Sequence, residues 1–155
     1  HARETISDAT RQMAQRNNHT VIPFDLSLPQ DRAIQILQGL NKSIAEYELK
    51  INAFGHFCQD EERVALHYNL VAKSGLSTCQ KDAIEEHIIP YVWRMNGSHS
   101  AEHGGLGDKN IQWTLKGAQH QQIQHFLALK RWYDPDNLFQ RERSRVIESW
   151  AAVKT

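Results

Sequence analysis

Apolar positions recur with helical spacing at the start of the chain and then switch to strict alternation. In ARETISDATRQMAQRNN, Ile6, Ala9 and Met13 fall on one stripe, which predicts a short amphipathic helix. VIPFDLSLP alternates instead. Phe24, Leu26 and Leu28 share one face and Asp25 and Ser27 the other, as in a half-buried strand. Pro29 and Asp31 suit a first helical turn, through a fixed φ and a negative charge at the positive end of the dipole. Ala33, Leu37, Leu40 and Ile44 then supply a helix stripe.

Two more alternating runs follow. In EYELKINAFGH, Tyr47, Leu49, Ile51 and Ala53 share a face, opposite Lys50, Asn52, Phe54 and His56. In RVALHYNLV, Val64, Leu66, Tyr68 and Leu70 share a face, opposite Ala65, His67, Asn69 and Val71. The charged CQDEE between them suits a solvated connection. Ser77 or Thr78 is a fair N-cap for a long helix to about Met95, with Pro90 inside it. After a glycine-rich segment, Ile123, Phe126, Leu127 and Lys130 mark a final helix, stopped by YDPDN. The expected fold is α+β, an antiparallel sheet covered by helices, occupying residues 1–140 with a tail at 141–155.

Composition narrows the function classes. Lys+Arg and Asp+Glu both number 18, so no whole-protein field attracts nucleic acid or an anionic membrane. No apolar run approaches the ~20 residues of a membrane helix. The two cysteines, Cys58 and Cys79, are too few for a disulfide framework and suggest an intracellular, reducing compartment. Cys79 has no evident base nearby and reads as a buried structural thiol.

The chemistry lies in the polar faces and in NGSHSAEHGGLGDK. If the two middle strands form a hairpin with His56 opposite His67, then Phe54 faces Asn69 and both imidazoles leave the same side. Opposed Cβ atoms stand ~5 Å apart, close enough for the two rings to share one ion. Glu102 would then be a third ligand, with His103 beside it, its imidazole free for proton transfer. The alternative is plain: nine histidines in 155 residues also scatter onto exposed sheet faces. Gly104, Gly105 and Gly107 lack the spacing of a dinucleotide fingerprint and follow a helix instead of a strand.

Taken in order, PFDLSLP, FGH…ALHYNL, GSHSAEHG and YDPDNLF resemble one family, the FAD-linked oxidase C-terminal domain. Its members include D-lactate dehydrogenase, glycolate oxidase subunit and D-2-hydroxyglutarate dehydrogenase types. The resemblance implies a substrate domain of ferredoxin-like derivation. It makes His56, His67 and Glu102 ligands of a divalent metal, usually zinc, and His103 the general base. Asn69, Arg3 and Ser7 would contact substrate, with Arg3 on its carboxylate. The implied reaction oxidises a D-2-hydroxy acid to a 2-oxo acid with hydride transfer to FAD. Electrons then pass to a quinone, a cytochrome or an electron-transfer flavoprotein. Mitochondrial residence is implied for a eukaryotic source and cytoplasmic residence for a bacterial one.

Several positions depart from the family pattern. The family spaces its histidines more tightly, as GHxGDGNxH, whereas FCQDEERVAL intervenes here. Pro23 stands where the family often has lysine, and Gln140 where it has asparagine. The flavin-binding domain that precedes this region in the family, and the first part of the substrate domain, are expected to be missing from this sequence, which then corresponds to the later part of a substrate domain and alone should not oxidise anything. A non-catalytic relative with a degraded flavin interface is the competing expectation.

Overall fold

The computed structural model of the protein describes residues 2–57, 62–73, 75–102, 110–118 and 120–153, and among these leaves the side chains of 2–8, 120 and 153 undescribed. The chain separates into two compact units, His1–His103 and Gly104–Thr155.

The first unit is built on a three-stranded antiparallel sheet. Helix α1 (Ala2–Arg16) leads into strand β1 (Thr20–Pro29), whose alternation ends at Pro29 in a 3-10 turn, Gln30–Arg32. Helix α2 (Ala33–Ser43) and a second 3-10 turn follow. A left-handed Glu48, φ 51, then turns the chain into β2 (Lys50–Phe57). Strand β3 (Arg63–Ala72) lies in the centre, in the order β1-β3-β2. Pro23 is tolerated because β1 is an edge strand, where a missing N–H breaks no second ladder. Helix α3 (Thr78–Arg94) starts at a capping box between Ser77 and Gln80.

Alternation places the core. Ile22, Phe24, Leu26 and Leu28 of β1 and Val64, Leu66, Tyr68 and Leu70 of β3 are buried, against Ile36 and Leu40 of α2 and Ile84, Ile88 and Val92 of α3. On β2 the matching positions Ile51 and Phe57 remain exposed, and among the described residues no further strand flanks it. Among the described side chains of α1, Thr10 and Ala14 are buried, and Asn52 of β2 donates to the Thr10 hydroxyl from the sheet face opposite the apolar core.

Four expectations need correction. Among the described side chains of α1 the inner positions are Thr10 and Ala14, while Ala9 and Met13 are exposed and the side chain of Ile6 lies outside the described residues; small side chains allow close approach to the sheet. In α2, Ile36 is buried where Leu37 was expected. Strand β2 begins only at Lys50, because Ala45–Tyr47 form the 3-10 turn. Cys79 is exposed, because the buried stripe of α3 begins at Ile84. Cys58 lies outside the described residues.

The second unit is helical: α4 (Ile111–Gly117), α5 (His120–Tyr133) and α6 (Arg141–Val153). Residues expected to form a tail thus carry a helix. Ile111, Leu115, Ile123, Leu127, Ile147 and Ala151 make its core. Lys130, the polar exception on the α5 stripe, pairs with the buried Asp134. Asp134 in turn accepts from the Leu138 and Phe139 amides at 2.8 and 3.0 Å, which makes YDPDN a stop. Among the described residues no helix is long and apolar enough to cross a membrane.

The central Tyr68 gives a pH-dependent test of this core. Its side chain has no exposed surface, its ring lies 6.4 Å from Phe24, and its hydroxyl donates to Asn41 at 2.9 Å. Burial disfavours the phenolate and pushes the Tyr68 pKa from 10.0 up to about 12. The folded state therefore binds more protons than the unfolded one in that window. Stability should persist below about pH 10 and fall by ~1.4 kcal/mol per unit as pH rises from there. Urea unfolding of Tyr68→Phe, compared with the unaltered chain from neutral to alkaline pH, should lack this component. At neutral pH the variant should lose about 1 kcal/mol with the Asn41 hydrogen bond.

Candidate functional site

The face of the sheet opposite the apolar core carries Asp25 on β1, His67 and Asn69 on β3, and Asn52, Phe54 and His56 on β2. Their common side follows from the register: Asp25 pairs with His67, His67 with Phe54, and Asn69 with Asn52. His56 is opposite Ala65, so the expected His56–His67 and Phe54–Asn69 pairs are wrong by two residues. A two-residue slip keeps side-chain parity, and both histidines still leave the same face. They are diagonal neighbours with ring centroids 5.7 Å apart. Phe54 lies against the His67 ring at 4.9 Å, which limits where that imidazole can swing.

Glu102 arrives from the segment after α3. Asn96 takes a left-handed φ of 61, and Gly97 donates to the Val92 carbonyl at 2.8 Å, closing the helix. Ser98 then joins the open edge of β1 by reciprocal bonds with Ser27, 2.8 and 2.9 Å. Arg63 ties the same junction together, reaching the Ser27 hydroxyl at 2.7 Å, the Ser27 carbonyl at 3.0 Å and the Asn96 carbonyl at 3.1 Å. Trp93 donates to His99 Nδ1 at 3.2 Å. Asp25 Oδ2 accepts from the Ala101 and Glu102 amides at 3.2 and 2.9 Å.

This path delivers the Glu102 carboxylate between the two imidazoles. Oε1 lies 3.4 Å from His56 Nε2 and Oε2 lies 3.4 Å from His67 Nε2. One donor atom from each of the three residues falls within 4.8 Å of the others. Charge-assisted N–H···O bonds prefer about 2.7–2.9 Å. Donors on one tetrahedral zinc, each ~2.0–2.1 Å from the ion, stand ~3.4 Å apart. The two histidine–glutamate separations, each to a different carboxylate oxygen, lie near the second figure, and two imidazole nitrogens with one carboxylate are a donor set that zinc accepts. The histidine side chains are only 13% and 17% exposed while Glu102 is 41% exposed, so the cluster is open towards solvent on the carboxylate side.

Asn69 is buried on the same face, two positions beyond His67. Arg3 and Ser7 lie in α1, but their side chains, like all of His103, are outside the described residues; so are Gly104, Gly105 and Gly107. Gln140 adopts a φ of 52, a conformation that asparagine takes more readily than glutamine. Sequence reasoning overlooked Asp25, Ser98 and Arg63 as holders of the Glu102 segment. The alternation around Asp25 signalled only a polar face.

An α+β domain with a His, His, carboxylate cluster on one sheet face is the class that this geometry defines. The family described as FAD linked oxidases, C-terminal domain, matches residues 1–142, and the chain belongs to it. That membership puts the protein among flavin-dependent oxidoreductases. No curated protein matches the chain significantly.

Proposed function

We propose that this chain forms the substrate side of a zinc-assisted, flavin-dependent dehydrogenase of D-2-hydroxy acids, with D-lactate-like substrates. The observation that carries the reading is the convergence of His56, His67 and Glu102, the residues to which the family resemblance assigns the metal. A zinc ion bound there would act as a Lewis acid that lowers the pKa of a substrate hydroxyl. A flavin supplied by the rest of the enzyme would provide the hydride acceptor.

The chain's own residues would divide the remaining work. His103, next to Glu102 in sequence, would accept the hydroxyl proton. Arg3 would hold the carboxylate through its planar fork, fixing which face of the substrate carbon is presented. Asn69 would hydrogen-bond substrate from beside His67.

The test is metal content. The chain dialysed with zinc and then freed of excess ion should retain about one zinc per molecule by elemental mass spectrometry, as a three-ligand site requires. A chain that retains none would overturn the metal reading.

A further inference from the structure

We infer that Asp25 is the positioning residue of this metal site, holding Glu102 in place for the ion. The inference rests on the zinc reading above and adds a residue to it. Of the three proposed ligands, two are fixed by the sheet: His56 on β2 and His67 on β3. Glu102 is different. It lies in neither a helix nor a strand, and it is the most exposed of the three. Ordering such a residue costs backbone entropy, which would otherwise weaken metal binding.

Asp25 opposes that freedom through two amide hydrogens, that of Ala101 shared between two of its oxygens. Its Oδ2 accepts from Ala101 N at 3.2 Å and from Glu102 N at 2.9 Å. Its main-chain carbonyl accepts from Ala101 N at 3.1 Å as well. A carboxylate oxygen is a good acceptor for backbone amides, and here it takes those of two successive residues. The same residue stands directly across from His67 in the β1–β3 register. One side chain on a sheet strand therefore ties the backbone of the loop-borne ligand relative to the neighbouring strand's ligand. Ser27–Ser98 and Arg63 secure the segment further upstream, but they stop several residues short of Glu102.

Two readouts on the full chain test this. In the metal-free protein, hydrogen exchange by NMR should show the Ala101 and Glu102 amides protected. Asp25→Ala should remove that protection, and Asp25→Asn, which keeps a neutral acceptor of the same shape, should remove part of it. Zinc affinity should fall in the same order, by about 10–100-fold in Asp25→Ala, the usual loss when a ligand's hydrogen-bonding partner is removed. Asp31→Asn, at an exposed carboxylate, should change neither.

Affinity that is unchanged in Asp25→Ala overturns the inference alone, whatever the amides do. No zinc in the unaltered chain overturns the metal reading and this inference with it. If Asp25→Ala does not fold, the isosteric Asp25→Asn carries the test by itself.

Discussion

His67→Ala should abolish specific zinc binding by this chain while leaving it folded. His67 stands on the central strand, between the Phe54 ring at 4.9 Å and the His56 ring at 5.7 Å, and its Nε2 faces a Glu102 oxygen at 3.4 Å. Its loss leaves one imidazole and one exposed carboxylate, too few donors to hold zinc against water. The fall in affinity should exceed the roughly 10–100-fold that follows loss of a ligand's outer hydrogen-bond partner. Folding should survive, because the residue lies on the polar face and contributes nothing to the Leu26, Tyr68 and Leu70 core. A typical destabilisation of about 1 kcal/mol is expected. Zinc at a hundred times its Kd should stabilise the unaltered chain by about 2.7 kcal/mol, and the variant by none of this. Calorimetric titration with parallel thermal melts reads both quantities. Undiminished zinc affinity in His67→Ala would move the ion to another site.

That prediction was within reach of the sequence because strands constrain side chains by parity. The alternation of PFDLSLP and of the start of RVALHYNLV identified which positions oppose the core, His67 among them, although Asn69 and Val71 are buried on that opposite face as well. Parity does not distinguish registers two residues apart, and the His56–His67 pair therefore came out diagonal instead of opposed. Helices were read less well. Among the described side chains of α1, the inner face is set by Thr10, held by Asn52, and by the small Ala14, and the expected stripe through Ala9 and Met13 missed both. Helix α6 was hidden because Arg141, Glu142, Arg143 and Arg145 crowd its first turns, although Ile147 and Ala151 carry its apolar face.

The candidate site divides in the same way. His56 and His67 follow from strand periodicity, which is local. Glu102 reaches them only because α3 ends where it does and the chain then follows the open edge of β1. Those contacts join residues about seventy positions apart in sequence, such as Ser27 with Ser98 and Asp25 with Glu102, and no local pattern encodes them. Family resemblance named Glu102 as a ligand; the physical reason it arrives there is visible only in the folded chain.

Gly97→Ala should therefore damage stability and metal binding together. Gly97 is the point where the chain leaves α3 for β1, and there is no room for a side chain. A Cβ would sit 2.5 Å from Val92 Cγ1, 2.9 Å from the Val92 carbonyl and 3.1 Å from the Ser27 carbonyl. Val92 is fully buried, and the two oxygens are main chain, so none of these neighbours can swing aside. The backbone has to move, at an overpacking cost of about 1–3 kcal/mol. The adjacent Ser27–Ser98 bonds should weaken as well, at about 1 kcal/mol each. Displacement here propagates four residues on to the amides that Asp25 holds, so zinc affinity should drop although no ligand has been altered. Gly75→Ala is the matched control. A Cβ at Gly75 meets nothing within 4 Å, and the change should be neutral or slightly stabilising through the unfolded state. Urea unfolding and zinc titration of the two variants separate the outcomes. If Gly97→Ala loses stability but keeps full zinc affinity, Glu102 is held independently of the α3 terminus, and the path from helix end to ligand is not what positions the site.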